Sequence, residues 1–219
     1  MMGKVQVYYF PMRGRGEPIR VALAAKGVEF EHVDVDYAEM KSDLTKYKFN
    51  QCPRLVDDDV DVCQSNAVLR HVGRKYDMYG KGLKEAAAVD EVVDGVEAFK
   101  TKYLALIYQD ELADAAKQTF WDTHCEPASI SGRNSGIHLA YISKLAAPGT
   151  SWLVSDELSI ADIAVWDMFD LLARIFPDTL AAAYPDLGAH HAALAAVPSV
   201  RAYLEGPLRL PKVNYNGLG

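Results

Sequence analysis

Three short stretches of this 219-residue chain place chemistry-bearing residues where they could act together. The first is Tyr9, followed by Phe10-Pro11-Met12-Arg13-Gly14-Arg15; the second is Gln51-Cys52-Pro53; the third is Gln64-Ser65. A serine opening a helix, with the free backbone N–H groups around it, suits an anionic group. The extended residue ahead of a proline, here Cys52, presents main-chain groups to a peptide. Together the set suits a small peptide carrying a free carboxylate. Tyr9 and Arg15 add a phenol and a guanidinium near whatever atom lies above them. A thiol placed there, with an ordinary pKa of about 8.5, is mostly protonated at neutral pH. A phenol O–H donating to the sulfur, with a cation close by, favours the thiolate and lowers that value by roughly one or two pH units.

These residues need a scaffold, and the flanking pattern supplies one. KVQVYYF, residues 4–10, alternates as a strand, with Val5, Val7 and Tyr9 on one face and Gln6 and Tyr8 on the other. EPIRVALAAKG reads as a helix with Pro18 in its first turn and Gly27 where a C-terminal cap belongs. FEHVDVD, residues 30–36, reads as a second strand, so strand, helix and strand form a βαβ unit with parallel strands. Ligands of such layers settle outside the carboxyl ends of the strands, where Tyr9 and its loop lie. Arg54-Leu55-Val56 and Val60-Asp61-Val62 then flank an Asp57-Asp58-Asp59 turn as an antiparallel hairpin. A helix follows from Ser65, whose hydroxyl is suited to cap it, with Ala67, Val68 and Val72 on one face. Residues 1–80 therefore read as a small α/β domain with a mixed sheet, ordered βαβ-ββα.

Beyond Gly80-Lys81-Gly82 the β signal vanishes. Val89, Val92, Val93, Val96, Phe99, Tyr103, Leu106 and Ile107 recur at helical spacing. Alanine-rich segments continue to about residue 205, punctuated by Pro127, Pro148, Pro177, Pro185 and Pro198. Residues 84–219 read as an all-helical bundle domain of at least five helices.

The bulk numbers exclude several classes. A formal charge of −7 argues against a nucleic-acid partner, which needs a basic face. No apolar run reaches the length of a membrane span, and MMGKVQVYYF carries no secretory pattern. Three cysteines (Cys52, Cys63 and Cys125) make no disulfide framework, so a cytoplasmic location is expected. Gly14-Arg15-Gly16 sits where a dinucleotide fingerprint would, but Ile19 occupies the position that motif keeps small. The Asp57–Asp61 run fails as a calcium loop at Val62 and Val68. His190 and His191 are helix neighbours that do not face one site, and no histidine pairs with a cysteine at zinc spacing. Neither a metal nor a bound cofactor is expected. Taken singly, Tyr9 has a plainer reading as packing, Ser65 as a cap and Tyr108 as core.

Three segments converge on one family. YYFPMRGRGEPIR, QCPRLVDDDVDVCQSNAVLRHVGRKYDMYGK and EAAAVDEVVDGVEAFKTKYLALIY, with a VNYNG tail, closely resemble the pi class of glutathione transferases, with some similarity to mu and sigma. The resemblance implies a thioredoxin-like first domain. It implies that Tyr9 donates to the glutathione sulfur and Arg15 supports the thiolate. Gln51 and Cys52 match the pair holding the cysteinyl backbone, Pro53 the family's cis-proline, and Gln64 and Ser65 the γ-glutamyl binders. Phe10, Met12, Leu104 and Tyr108 match the wall of the electrophile pocket. Phe49 matches an aromatic key of a homodimer interface, and Arg70, Arg74, Asp90 and Asp94 its charges. Ser159-Ile160-Ala161-Asp162 matches the family's capping box.

Departures from the pattern are specific. The tryptophan that contacts the glycyl carboxylate has no counterpart near Tyr37-Ala38. The nearby lysine is Lys41, Lys46 or Lys48, of which Lys46 fits best. The partner-subunit aspartate is Ala98, the reactive cysteine is Tyr47, and extra residues within 109–155 are expected to lengthen the helix pair beside the pocket. The expectation is a dimeric enzyme that conjugates glutathione, as co-substrate, to hydrophobic electrophiles. Glutathione-dependent isomerisation or peroxide reduction would use the same activated thiol, and a non-catalytic ligand carrier is the alternative from another class.

Overall fold

The computed structural model describes residues 4–145 and 150–219; Met1-Met2-Gly3 and Pro148 of the sequence reading lie outside them. The chain forms two compact units. One runs to Met78 and takes back Ala195–Tyr215; the other holds Tyr79–Leu194 and Asn216–Gly219.

The first unit is a four-stranded mixed sheet with helices. Strand β1 (Val5–Tyr9) pairs in parallel with β2 (Phe30–Asp34), Val5 opposite Phe30 and Tyr9 opposite Asp34. It pairs antiparallel with β3 (Arg54–Val56), which pairs antiparallel with β4 (Asp61–Cys63), giving the order β2-β1-β3-β4. The alternation along β1 puts Val5, Val7 and Tyr9 into the interior. On its other face Tyr8 packs, with Phe10 and Cys52, against Val35, Met40 and Tyr47.

Helix α1 (Glu17–Ala25) opens with Pro18 in its first turn. It closes at Gly27, whose φ of +64° is left-handed and whose N–H donates to the Ala24 carbonyl at 2.9 Å, while Val28 N–H donates to Leu23. A short helix α2 (Tyr37–Ser42), which carries no clear sequence periodicity, is capped by the Asp36 carboxylate accepting Glu39 N–H at 2.7 Å. Helix α3 (Ser65–Lys75) buries Val68, Leu69 and Val72. Its last turns are fastened to the β3–β4 hairpin at Asp57, whose side chain is only 2 % exposed. Asp57 accepts from His71 Nε2 at 2.8 Å, Lys75 Nζ at 2.9 Å and the Asp59 and Val60 amides at 2.9 Å. Burial alone would raise this carboxyl; the hydrogen bonds from His71, Lys75 and the two amides outweigh it and hold Asp57 well below the usual carboxylate range.

The second unit is helical. Helix α4 (Gly82–Tyr108) buries all eight residues that the sequence spacing assigns to its inner face, from Val89 to Ile107. Residues 109–145 form short pieces rather than a lengthened helix pair: α5 (Asp114–Phe120), a π-helical turn (Trp121–Cys125), a turn at Pro127–Ser129 and α6 (Leu139–Ser143). Left-handed backbone at Glu111, Leu112, Ser135 and Gly136 breaks the run. Helix α7 (Ile160–Ile175) starts at a capping box in which Asp162 accepts both the amide and the hydroxyl of Ser159 at 2.8 Å. It is joined to α4 by a buried pair, Lys100 Nζ to Asp167 Oδ2, at 2.6 Å. Helices α8 (Pro177–Ala183) and α9 (Pro185–Ala196) each open on one of the prolines that punctuate the sequence. His190 and His191 diverge, the first meeting Asp162 at 3.0 Å and the second lying flat on Trp166 with ring centroids 5.3 Å apart.

Sequence reading groups residues 195–215 with the helical domain, whereas in the structure they pack in the first unit. Helix α10 (Pro198–Glu205) lies on α1, Ser199 Oγ donates to the Ala25 carbonyl at 3.1 Å, and the Tyr203 ring stands 6.2 Å from Phe30. Helical periodicity marks such a segment as amphipathic without naming what it covers.

The Asp57 cluster carries a pH-dependent prediction. A carboxyl depressed on folding contributes stability that is complete above the unfolded value of about 3.9 and lost as pH falls through the lower folded value. Asp57→Asn is expected to lose about 2 kcal/mol in urea unfolding at neutral pH, with the gap to wild type narrowing below about pH 4. A gap unchanged by pH would contradict this account.

Candidate functional site

The site is built where β1 ends. Tyr9, 8 % exposed, is the last residue of β1, and the loop from Phe10 to Gly16 turns back over its ring. The phenol oxygen accepts the Arg15 backbone N–H at 3.0 Å. That approach depends on glycine at both flanks of Arg15. A Cβ on Gly14, whose φ is +40°, would stand 2.6 Å from Tyr9 Oη, and a Cβ on Gly16 would stand 3.0 Å from Tyr9 Cδ1. Neither glycine is singled out for this role by sequence reading, although Gly-Arg-Gly after a strand is the signal that the backbone comes close to something.

Arg15 links the loop to α3. Its Nη1 donates to Ser65 Oγ at 3.4 Å, so the phenol, the guanidinium and the hydroxyl of the sequence-derived set come together. The expected cap is corrected here: Ser65 is the first residue of α3, and Gln64 is its N-cap, with no side-chain capping bond. The reason is the left-handed backbone at Gln64, φ +78°, which swings the chain into the helix one residue early. The third part of the set, Gln51-Cys52-Pro53, follows with a cis Cys52–Pro53 bond. Cys52 is half-buried, and burial pushes its thiol up to about 11, so it stays protonated at neutral pH.

The three lysines differ in what holds them. Lys41 Nζ donates to the Asn50 carbonyl at 3.0 Å, and Lys48 Nζ to the Asp61 carbonyl at 3.1 Å. Lys46 is exposed, hydrogen-bonded to the Glu39 carboxylate, and raised in pKa chiefly by that bond. Phe10, 5.8 Å from the Tyr9 ring, stacks on the exposed Tyr37 at 6.4 Å, an aromatic neighbour that sequence reading does not assign. Met12 is buried.

The remaining candidates lie in a turn, for Phe49, and on helices α3 and α4. Phe49 is 60 % exposed, and Arg70 and Arg74 stand one turn apart on α3. On α4, Asp90 accepts the Tyr79 hydroxyl, Asp94 is exposed, Leu104 is half-buried and Tyr108 is 45 % exposed. Among the described residues no group of three or more His, Cys, Asp or Glu side chains is arranged to hold a metal ion, and no helix is long and apolar enough to cross a membrane.

Comparison with known proteins matches two family descriptions. "Glutathione S-transferase, N-terminal domain" covers residues 5–74, and "Glutathione S-transferase, C-terminal domain" covers residues 97–207. The chain is 34 % identical over 219 residues to the glutathione S-transferase P of Homo sapiens, spanning 96 % of this chain and 97 % of that one. It is 31 % identical over 217 residues to a glutathione S-transferase of Dirofilaria immitis, spanning 95 % and 96 %. Among solved structures, the Pi-class glutathione S-transferase of Onchocerca volvulus superposes with a TM-score of 0.80 at 27 % identity, covering 99 % of this chain and all of that one. The Ascaris lumbricoides glutathione S-transferase shares the fold, with a TM-score of 0.74.

The crowding at Gly14 is directly testable. Gly14→Ala forces either the phenol or the loop amide away, at left-handed backbone that disfavours any side chain. A stability loss of about 2 kcal/mol in thermal unfolding is expected. A variant as stable as wild type would show that the loop does not lie against Tyr9.

Proposed function

The chain belongs to the glutathione S-transferase family, and from that premise we propose that it binds glutathione at the carboxyl end of β1, stabilises its thiolate with the Tyr9 phenol and delivers it to an apolar electrophile. The observation that carries this reading is the 3.0 Å hydrogen bond from Arg15 N–H to the Tyr9 oxygen. An N–H donated to a phenol oxygen withdraws electron density from its O–H and strengthens that group as a donor to sulfur. The Arg15 guanidinium adds positive charge on the same side.

The peptide co-substrate is read along the set already described. Gln51 and Cys52 offer main-chain groups to the cysteinyl part, beside Pro53. Gln64, Ser65 and the first amides of α3 suit the γ-glutamyl carboxylate. Lys46 is the cation proposed for the glycyl carboxylate: its exposed pair with Glu39 is worth little, so exchanging one carboxylate for another is easy. Lys41 and Lys48 are tied to carbonyl oxygens instead. By the same family resemblance Phe10, Met12, Leu104 and Tyr108 are proposed as electrophile contacts. Phe49, Arg70, Arg74, Asp90 and Asp94 are proposed for a homodimer interface. A detoxifying role in the cytoplasm is typical of the family.

Catalysis on this reading needs neither a covalent enzyme intermediate nor a bound cofactor. The gain comes from a larger thiolate fraction at neutral pH and from holding sulfur and electrophile together. The test is the ultraviolet titration of protein-bound glutathione in wild type and Tyr9→Phe. Wild type is expected to ionise the thiol roughly one to two pH units below the free value of about 8.5, and Tyr9→Phe to return it most of the way. Turnover near neutral pH should then fall by about tenfold or more, while glutathione binding changes little. Equal midpoints in the two proteins would overturn the role of Tyr9.

A further inference from the structure

The loop that meets Tyr9 is held from behind by a set of largely buried charges, which also reaches His32 Nδ1, 3.5 Å from Arg20 Nη1. Arg20 on α1 is fully buried, and its Nη2 donates to the carbonyls of Met12 and Arg13, each at 2.9 Å. A buried guanidinium needs a counter-charge. Glu17, 2 % exposed and one turn earlier on α1, accepts from Arg20 Nε at 3.3 Å and Nη2 at 3.1 Å. The same carboxylate accepts the Tyr203 hydroxyl at 2.9 Å and Arg209 Nε at 3.1 Å. Tyr203 and Arg209 come from the returning segment, which also grips the loop directly. Arg13 Nε donates to the Leu210 carbonyl at 2.8 Å, Arg13 N–H to Lys212 at 2.8 Å and Gly14 N–H to Val213 at 3.0 Å.

We propose that Glu17 is a positioning residue for thiolate formation: through Arg20, and with Arg209 of the C-terminal segment, it fixes the Phe10–Gly16 loop at the distance where Arg15 N–H meets the Tyr9 phenol. The proposal rests on the reading of Tyr9 as the thiolate stabiliser. Glu17 does not touch the phenol; it acts through the loop. The gap between loop and ring is sterically tight, since even a methyl group on Gly14 or Gly16 would overlap the tyrosine. A small outward shift of the loop therefore lengthens the Arg15–Tyr9 bond. A carboxylate that gathers donors from α1, α10 and the segment beyond it also makes the far end of the sequence part of the site's scaffold.

The experiment titrates bound glutathione by ultraviolet absorbance, and follows the pH profile of kcat/KM with an aryl halide electrophile, in wild type, Glu17→Gln and Arg209→Met. Both variants are expected to raise the titration midpoint by about half to one pH unit, a three- to tenfold fall in kcat/KM below neutral pH, with the KM for glutathione little changed. On a Tyr9→Phe background, Glu17→Gln should leave the midpoint where Tyr9→Phe puts it. A wild-type midpoint in the folded variants, or a rise that adds to that of Tyr9→Phe, overturns the proposal. If Glu17→Gln does not fold, Arg209→Met decides the matter alone, since its side chain lies at the edge of the set. A wild-type protein that does not depress the thiol overturns the Tyr9 reading itself, a failure distinguishable from that of Glu17.

Discussion

The peptide between Gly14 and Gly16 must run against the Tyr9 ring closely enough for an amide to reach a phenol oxygen. That contact excludes Cβ atoms on both sides of Arg15, and it determines where the Arg15 side chain departs. From there the guanidinium reaches Ser65, the first residue of α3. The βαβ arrangement serves this contact: β1 ends with Tyr9 in the interior, and α1 begins as soon as the loop has turned. Pro18 in the first turn of α1 gives up no hydrogen bond, because the amide it lacks would have been an orphan.

The opposite end of α3 is settled by electrostatics rather than by shape. Asp57 anchors His71 and Lys75 to the hairpin, which holds the last turns of the helix. Burying a carboxylate is unfavourable unless donors surround it, and Asp57 has four. Glu17 repeats the device beneath the loop with two guanidinium partners and a phenol. Asp57 and Glu17 are thus fasteners that tie separate elements of the first unit together.

The sequence made the elements legible where periodicity is long and uninterrupted. The inner face of α4 follows from eight apolar residues at helical spacing, and β1 from strict alternation over five positions. Pro18 and Gly27 mark the ends of α1 by local stereochemistry alone. Short elements escaped: α2 has six residues, too few for a period to show. Ser65 falls one residue inside the helix because the left-handed backbone at Gln64 has no signature in a glutamine. The return of residues 195–215 to the first unit, and the Glu17–Arg209 contact with it, are long-range facts. No local pattern encodes them. Gln51, Gln64 and Lys46 stand out only through family resemblance, and the pairing of Lys46 with Glu39 has no local signal.

The central claim is that the Tyr9 phenol is the group that receives the co-substrate's sulfur. The most direct measurement is a crystal structure of the protein with glutathione bound. The account predicts the sulfur within hydrogen-bonding distance of Tyr9 Oη, with the Arg15 amide still on the phenol oxygen. Glutathione bound with its sulfur out of reach of Tyr9, and nearer another donor, would contradict it.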